Sequence, residues 1–219
     1  DLVTVTQRKF AERIAEFVRG ALVVVKNTID YNLPCWNAPK IPTYKKQTRI
    51  GWVGGIHHDV DVKHFAGVPH LVNQKVGYPA LPANTYGEMY RNIDINLAVL
   101  DPNPFNDSKS EIKAIEGARY GVPLIATNVG CYDELIVNGE TGYLIDPKNA
   151  KSDWIKVLTK CIKDPQHVKE MGQNLKLLCD NLFDVNKVVA GRVDLYRECM
   201  GLKAQALEHY NQNQNNEVS

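Results

Sequence analysis

The feature that most constrains this chain is the alternation of short apolar runs with segments of helical periodicity. Apolar spacing typical of a helix follows the first run, at Phe10, Ile14 and Phe17. Strands that alternate with helices in this way predict βαβ units and an α/β fold, a Rossmann-like parallel sheet flanked by helices. The runs read as strands are Leu2–Thr6, Ala21–Val25, Arg49–Gly54, Ile93–Leu100, Pro123–Thr127 and Gly142–Ile145.

The last third of the chain has a different pattern, which predicts a helical C-terminal tail. From Asn149 onward the apolar residues follow helical spacing, and further helices are predicted around Val168–Leu178 and Val185–His209. Residues 211–219 are rich in Asn and Gln, a composition that favours disorder. The segment 59–86 contains many breakers and one predicted strand, Leu71–Val76.

Composition excludes several classes of protein. The 26 Lys and Arg residues balance 25 Asp and Glu residues, and this argues against a nucleic-acid-binding protein with a basic face. No apolar stretch is long enough for a transmembrane helix, and the first ten residues lack the order of a signal peptide. The five cysteines are widely spaced without a C-x-x-C pair, so we expect free thiols and a cytoplasmic location.

The segment after the Ile93–Leu100 run carries the densest chemistry. If a helix begins near Ser108, then Lys109, Lys113, Glu116 and Tyr120 share one face of it. In parallel sheets such helices begin at the carboxyl ends of strands, where ligands bind. Two lysines beside a helix N-terminus suit a diphosphate, and a carboxylate one turn further on suits the hydroxyls of a ribose.

A simpler interpretation of the same residues is purely structural. Ser108 and Glu111 have the spacing of a capping box, which would only start the helix. Lys109, Lys113 and Glu116 would then be a solvated face with an ion pair between residues three apart. Periodicity by itself favours this simpler interpretation.

The run from Ser110 to Ile145 resembles the donor-binding half of retaining glycosyltransferases of the GT-B fold, glycosyltransferase family 4. The family pattern joins a glutamate-x7-glutamate motif to A-x-G-x-P-x-(I/V)-A-T-x-x-G and E-(I/L)-(I/V)-x-x-G-x-x-G. The residues that match it are Glu116, Ala118, Gly121, Pro123, Ile125, Ala126, Thr127, Gly130, Glu134, Leu135, Ile136, Gly139 and Gly142.

The resemblance implies a role for each matching position. Glu116 is the second glutamate, which is expected to bind the donor ribose, and Ser108 stands where the first glutamate would contact the sugar. Gly54 and Gly55 resemble the glycine loop that faces the donor phosphates. Within one subgroup pattern, F-N-x-S-K-S-x-x-K-x-x-E, the matching donor-binding residues are Phe105, Asn106, Ser108, Lys109, Ser110, Lys113 and Glu116.

Two cations that this family normally carries near the diphosphate are absent at the matching positions, Gly55 and Asp61. Lys109 and Lys113 are expected to replace them and, with Glu116, to form the catalytic set. The implied reaction transfers a sugar from a nucleotide-diphosphate donor with retention and stabilises the leaving diphosphate electrostatically, with no metal or other cofactor. Glu134 is interpreted either as a helix cap or as a sugar contact.

The segment from His57 to His64 offers a competing interpretation. It holds three histidines and two aspartates, His57, His58, Asp59, Asp61 and His64, which are residue types that bind metals. Because they follow a glycine turn on an irregular loop, they do not reliably share a face. The favoured interpretation is that His57 or His58 contacts the donor phosphate or the acceptor.

The resemblance also implies a division of the chain. Residues 1–25 are expected to be a remnant of an N-terminal acceptor domain with its linker, and 26–182 the donor-binding domain. Residues 183–210 would be helices that cross back to the N-terminal domain. At 219 residues the chain is expected to be the second half of a two-domain enzyme that turns over poorly by itself.

The expected partners are a nucleotide-sugar donor and an acceptor glycan, lipid or protein. Peripheral membrane association is expected only through an N-terminal domain. Two alternatives stay open, a non-catalytic nucleotide-sugar binding module and a metal-dependent hydrolase that uses the His57 segment.

Overall fold

The computed structural model describes residues 2–42, 47–54, 61, 74–76 and 81–216. Short 3-10 segments connect several elements, among them Tyr86–Asn92, Asn106–Ser108 and Tyr132–Glu134. The strands are β1 (Leu2–Val5), β2 (Ala21–Val24), β3 (Ile50–Val53), β4 (Gln74–Val76), β5 (Ile95–Ala98), β6 (Leu124–Thr127) and β7 (Gly142–Ile145). The helices are α1 (Arg8–Ile14), α2 (Ile112–Arg119), α3 (Ala150–Lys163), α4 (Pro165–Leu182) and α5 (Val185–Asn216).

A five-stranded parallel sheet forms the centre of the protein, in the order β4-β3-β5-β6-β7. The predicted Rossmann-like parallel sheet flanked by helices is therefore confirmed. The chain reaches β4 on one side of β3 and then returns to β5 on the other side. This reversal is a topological switch point, and the crevice outside the carboxyl ends of β3 and β5 is where such sheets bind ligands.

Both faces of the sheet are buried, and this explains why the strands are continuously apolar. Side chains of β5 alternate between two hydrophobic clusters: Ala98 faces one, while Ile95 and Leu97 face the other. The first cluster includes Ile115 of α2, and the second includes Trp154 of α3. The two helices thus cover opposite faces of the sheet.

Two glycines of the central motif have clear structural reasons. Gly121 ends α2 with a φ of +63°, a conformation that side chains with a Cβ rarely adopt. Gly142 begins β7 so close to β6 that a Cβ there would lie 2.1 Å from the carbonyl oxygen of Leu124. Both positions serve the connection between α2, β6 and β7, so they hold the sheet rather than a ligand.

Residues 2–24 form a separate parallel sheet of two strands, in which α1 connects β1 to β2. Side chains of this unit reach the loops of the larger sheet: Gln7 donates to the carbonyl of Asp107 over 3.1 Å, and Lys9 lies 3.1 Å from Asp133. The separate sheet ends close to the boundary proposed at residue 25. Its assignment to an acceptor domain stays a prediction.

The C-terminal part is helical, as the sequence predicts, but α5 continues to Asn216. The polar segment 211–216 contains no Pro or Gly to interrupt this helix, and disorder of residues 211–219 stays a prediction. Arg192 of α5 donates to the carbonyl of Lys26, which connects the helix to the segment after β2. Within the described ranges no helix is long and apolar enough to cross a membrane.

Candidate functional site

The candidate site is the crevice at the switch point, between the ends of β3 and β5. Helix α2 begins there, and its N-terminus contributes a partial positive charge to the crevice. Lys113, in the first turn of α2, donates a hydrogen bond to the carbonyl of Val53, the last residue of β3. Its ammonium also lies 5.2 Å from the centroid of the Trp52 ring. These contacts place a cation directly at the carboxyl end of β3.

Glu116 lies one turn after Lys113 on the same helix face and is 9% exposed. Tyr90, in the 3-10 segment before β5, donates a hydrogen bond of 2.6 Å to Oε2 of Glu116. The predicted stripe of a lysine followed by a carboxylate is thus present for this pair. In this pair, Oε2 of the Glu116 carboxylate is bound by the phenol of Tyr90.

Burial perturbs both groups in opposite directions. It lowers the pKa of Lys113 to about 8, against the attraction of Glu116. It raises the pKa of Glu116 to about 7, against the hydrogen bond from Tyr90 and the charge of Lys113. Burial thus disfavours the charged form of each residue. Groups whose pKa values are perturbed in this way are typical of functional sites.

Lys109 is positioned differently from the prediction. The backbone at Lys109 is extended, with a ψ of 143°, and α2 begins only at Ile112. The interpretation that places Lys109 and Lys113 on one helix is therefore wrong. Lys109 instead reaches the crevice from the loop, with its ammonium 3.9 Å from Oδ2 of Asp61. Burial lowers the pKa of Lys109, and the charge of Asp61 opposes that effect.

The predicted capping box does not form, and α2 begins at Ile112. The hydroxyl of Ser108 donates to the carbonyl of Pro104 over 2.9 Å and accepts from Arg13 over 2.8 Å. Ser108 itself belongs to the 3-10 segment before an extended Lys109, and Glu111 is the N-cap residue of α2, without a side-chain cap bond. The predicted pairing of Ser108 with Glu111 is wrong for this reason.

The Tyr120 side chain does not belong to the candidate site. This residue is the C-cap of α2, at the opposite end of the helix from Lys113, and its hydroxyl donates to the carbonyl of Cys35. An eight-residue helix is about 12 Å long, so the two ends of α2 reach opposite edges of the sheet.

Two residues of the loop after β5 contact the groups around Lys109. Asn106 is buried, and its amide nitrogen donates to Oδ1 of Asp61 over 2.7 Å and to the carbonyl of Asp101 over 2.8 Å. Both amide hydrogens therefore have partners in the protein, so Asn106 fixes Asp61 rather than offering donors to a ligand. Phe105 is 75% exposed, with its ring centroid 5.0 Å from the ammonium of Lys109.

Ser110 and Glu134 lie at the side of the site that faces the N-terminal unit. Ser110 accepts a hydrogen bond of 2.7 Å from Asn27. Lys26 forms an ion pair with Glu134 and lies 3.2 Å from Oε1 of Glu111, a fully buried carboxylate. Contact of Ser110 or Glu134 with a donor stays a prediction, since each has a protein partner here.

Several predicted residues lie outside the described residues, namely Gly55, His57, His58, Asp59 and His64. Gly54 is described, and a Cβ on it would lie 2.5 Å from the Trp52 ring. Among the residues that the structure describes, no group of His, Cys, Asp and Glu is arranged to hold a metal ion. The predicted thiols are confirmed, since all five cysteines are free.

Comparison with known proteins identifies a segment that borders this crevice. Residues 112–178, from α2 to α4, match the family described as glycosyl transferases group 1. Over these residues the chain resembles a glycosyltransferase group 1 domain. The resemblance of the motif in α2, β6 and β7 to glycosyltransferases is thereby confirmed.

The relatives of this glycosyltransferase domain are glycosyltransferases of several kinds. The chain is 27% identical to the D-inositol 3-phosphate glycosyltransferase of Paenarthrobacter aurescens over 187 residues, 84% of the chain and 40% of that protein. It is 39% identical over 72 residues to the Alpha-1,3/1,6-mannosyltransferase ALG2 of Dictyostelium discoideum, 33% of the chain and 17% of that protein. The chain thus spans well under half the length of these relatives.

Solved structures confirm the GT-B type of fold. Sucrose-phosphate synthase from Thermosynechococcus elongatus superposes with a TM-score of 0.68 at 15% identity, over 92% of the chain and 59% of that structure. Anabaena Alr3699/HepE in complex with UDP and glucose gives 0.63 at 17% identity, over 90% and 62%. At these identities the likeness establishes the fold alone.

Sequence reasoning about the glycosyltransferase domain missed the contacts that hold its charged groups. Tyr90 belongs to no motif in the sequence, and the sequence presents Asp61 as a missing cation or as one of the metal-binding residue types. Neither hydrogen-bond partner is close in sequence: Tyr90 and Glu116 are 26 residues apart, and Asn106 and Asp61 are 45 apart. Spacing signals cannot find such pairs, because only the sheet brings them together.

A large cavity of the glycosyltransferase domain lies elsewhere, at the amino edge of the sheet. It measures about 810 Å³ and is lined by residues that precede strands or end helices, such as Arg49, Asp94 and Gly121. The family motif and the perturbed pair, Lys113 and Glu116, lie at the carboxyl edge instead. Chemistry and topology therefore locate the candidate site better than cavity size does.

Proposed function

We propose that this chain is the donor-binding part of a glycosyltransferase that transfers a sugar from a nucleotide-diphosphate donor with retention. The observation that carries the proposal is the buried pair of Lys113 and Glu116, one helical turn apart at the switch point of the sheet. Structural neighbours solved with UDP or UDP-glucose support a nucleotide-sugar donor. The acceptor, whether glycan, lipid or protein, is left open by this proposal.

The geometry suits a nucleoside diphosphate in a definite orientation. Lys113 at the end of β3 and Lys109 on the loop after β5 would contact the diphosphate, together with the N-terminus of α2. Glu116, one turn deeper, would accept hydrogen bonds from the ribose hydroxyls. As the bond to the sugar breaks, the diphosphate gains negative charge, which the two lysines stabilise without a metal.

A second candidate function is a nucleotide-sugar binding module without catalysis. It is favoured by the surroundings of Ser108, the position of the first family glutamate, where the hydroxyl is bonded to Pro104 and Arg13. The carboxylate of Asp61 beside Lys109 also reduces the positive charge available to a leaving group. We propose a cytoplasmic location because the cysteines are free thiols.

Isothermal titration calorimetry with UDP, GDP and ADP tests the donor site, in the presence and absence of EDTA. We expect one nucleoside diphosphate to bind equally well in both conditions. Glu116→Gln should weaken that binding by about tenfold or more, because it removes a charged acceptor of hydrogen bonds. The matched control is Glu140→Gln on an exposed turn.

The outcomes separate the candidate functions. Absence of binding by all three nucleotides would contradict both the transferase and the binding module. Loss of binding in EDTA would instead favour a metal site, which includes the hydrolase alternative. Release of UDP, GDP or ADP from the matching nucleotide sugar, with the anomeric configuration of the product read by NMR, distinguishes a retaining transferase from a binding module.

A further inference from the structure

A fully buried tyrosine meets the carboxylate that we assign to the ribose. Tyr90 has no exposed surface, and its hydroxyl donates to Oε2 of Glu116 over 2.6 Å. Among the described residues, Tyr90 is the side chain that donates a hydrogen bond to Glu116. Burying a phenol hydroxyl costs free energy of desolvation, which a hydrogen bond to a charged group offsets. The burial of Tyr90 therefore points to a role for its hydrogen bond to Glu116.

The ring of Tyr90 is held firmly enough to direct this hydrogen bond. Trp36 lies on one side, with ring centroids 6.4 Å apart and a tilt of 30°, and Tyr86 makes an edge contact at 6.5 Å. These aromatic contacts do not depend on the hydroxyl. Replacement of Tyr90 by Phe would therefore keep the ring packing and remove only the donor.

The hydrogen bond has two consequences for Glu116. It fixes the side-chain conformation of Glu116 through Oε2, so that Oε1 remains for a ligand. It also favours the ionised carboxylate against burial, which raises the pKa of Glu116 to about 7. A ribose hydroxyl donates to an ionised carboxylate, so both consequences favour binding.

The charged and titratable groups around the pair come from three elements. Tyr86 lies in the 3-10 segment with Tyr90, Lys113 lies on α2, and Tyr132 lies in the 3-10 segment after β6. Asp61 acts on the same region through Lys113 and Tyr132. Lys113, with a pKa of about 8, titrates near neutral pH beside Glu116, whereas burial raises the pKa of Tyr86 to about 12.

We propose that Tyr90 is a positioning residue that holds Glu116 in the ionised conformation that binds the donor ribose. The inference rests on the proposed function, because it takes Glu116 as the ribose contact. It adds a specific partner that no motif spacing contains. It also predicts that Tyr90 acts on the nucleoside part of the donor and not on its phosphates.

The test compares Tyr90→Phe with Tyr120→Phe by calorimetry in EDTA. Tyr120 is a matched control, because it belongs to the same aromatic cluster and its hydroxyl bonds to a backbone carbonyl, not to Glu116. The ligands are whichever of UDP, GDP and ADP binds the wild type best, and inorganic pyrophosphate. Pyrophosphate reports on the lysines alone, since it lacks a ribose.

We expect Tyr90→Phe to weaken nucleotide binding about tenfold near pH 7 and to leave pyrophosphate binding unchanged. We expect nucleotide affinity, measured between about pH 6 and pH 9, to fall at both ends of this range. In Tyr90→Phe the fall on the acid side should move to higher pH, because the variant lacks a donor that favours the ionised carboxylate of Glu116. The alkaline limb, set by Lys113, should stay in place. Tyr120→Phe should match the wild type in both limbs.

The outcomes that overturn the inference are distinct from failure of the proposed function. A folded Tyr90→Phe variant with wild-type nucleotide affinity and pH profile would overturn it. Equal loss of nucleotide and pyrophosphate binding would also overturn it, since the effect would then be general. Failure of the wild type itself to bind any of the three nucleotides would instead contradict the donor-binding function.

Discussion

The ammonium of Lys109 lies 3.9 Å from the carboxylate of Asp61, in the part of the crevice assigned to the diphosphate. Asp61 is itself fixed, because its Oδ1 accepts hydrogen bonds from the side chain of Asn106 and the backbone N–H of Asp101. A phosphate that approaches Lys109 therefore meets a negative charge that cannot easily move away. In the protein without ligand, the ammonium of Lys109 is thus paired with the carboxylate of Asp61.

Asp61→Asn should consequently strengthen nucleoside diphosphate binding. The amide keeps an oxygen to accept from Asn106 and Asp101, while the local negative charge is lost. We expect the dissociation constant to fall about threefold at low salt, within the range of a partly exposed ion pair. Asp194→Asn, which changes the net charge equally at an exposed site on α5, is the control for calorimetry. Unchanged or weaker binding by folded Asp61→Asn would show that Asp61 does not compete.

The burial of Glu116 predicts a specific dependence of stability on pH. Its pKa rises from 4.5 to about 7 on folding, so the folded protein binds more protons than the unfolded chain between these values. The free energy of unfolding contributed by Glu116 must then fall as pH rises through this interval. Urea denaturation at about pH 5 and about pH 7 should show this decrease in the wild type.

Glu116→Gln should remove that part of the decrease, since an amide does not titrate. The exposed Glu140→Gln variant should keep the wild-type difference between the two pH values. If Glu116→Gln retained the full difference, the proton uptake would belong to other groups. Lys113 titrates above this interval, at about 8, and so contributes little to the comparison.

The sequence could predict the sheet because each buried strand is a continuous apolar run between breakers. The strand Gly142–Ile145 agrees with the structure at both ends, and the Ile93–Leu100 run contains β5. The start of α2 could not be predicted from the capping spacing, because Ser108 lies in a 3-10 segment and the backbone at Lys109 is extended. The hydroxyl of Ser108 instead bonds to the carbonyl of Pro104 and to Arg13, which is distant in sequence.

The candidate site shows the same division between local and distant causes. Lys113 and Glu116 could be paired from helical spacing, since they are one turn apart. Their perturbed pKa values could not, because these depend on burial and on Tyr90, which precedes β5. Helical spacing places Lys109 on the same helix as Lys113, whereas the structure places it on the loop before α2.

The glycine after β3 is predicted to be sensitive to a single methyl group. A Cβ on Gly54 would lie 2.5 Å from Trp52, whose ring contacts the ammonium of Lys113. Gly54→Ala should displace the ring, lower stability by about 1–3 kcal/mol and weaken nucleotide binding. Gly191→Ala is the contrast, because nothing lies within 4 Å of that position on α5.

The Gly191→Ala variant should gain about 0.5–1 kcal/mol from helix propensity. Urea denaturation and tryptophan fluorescence measure both variants. Wild-type stability and an unchanged emission spectrum for Gly54→Ala would mean that the loop accommodates the methyl group without moving Trp52.

Two glutamates five residues apart should respond in opposite ways to removal of their charge. Glu111 is fully buried, 3.2 Å from the ammonium of Lys26, and accepts from the thiol of Cys131 over 3.1 Å. Glu111→Gln should lower the free energy of unfolding by about 1–3 kcal/mol, because it breaks a buried ion pair that joins the segment after β2 to the start of α2. Nucleotide affinity of the folded variant should be unchanged.

Glu116→Gln should show the reverse: weaker nucleotide binding and, near neutral pH, no loss of stability, because the buried charge costs solvation in the free protein. Calorimetry gives the nucleotide dissociation constant of each variant, and urea denaturation in the same buffer gives its free energy of unfolding. These four values test the two predictions together. Weaker nucleotide binding by a stable Glu111→Gln would place the ribose contact at Glu111. A destabilised Glu116→Gln with wild-type affinity would assign Glu116 to the structure of α2 alone.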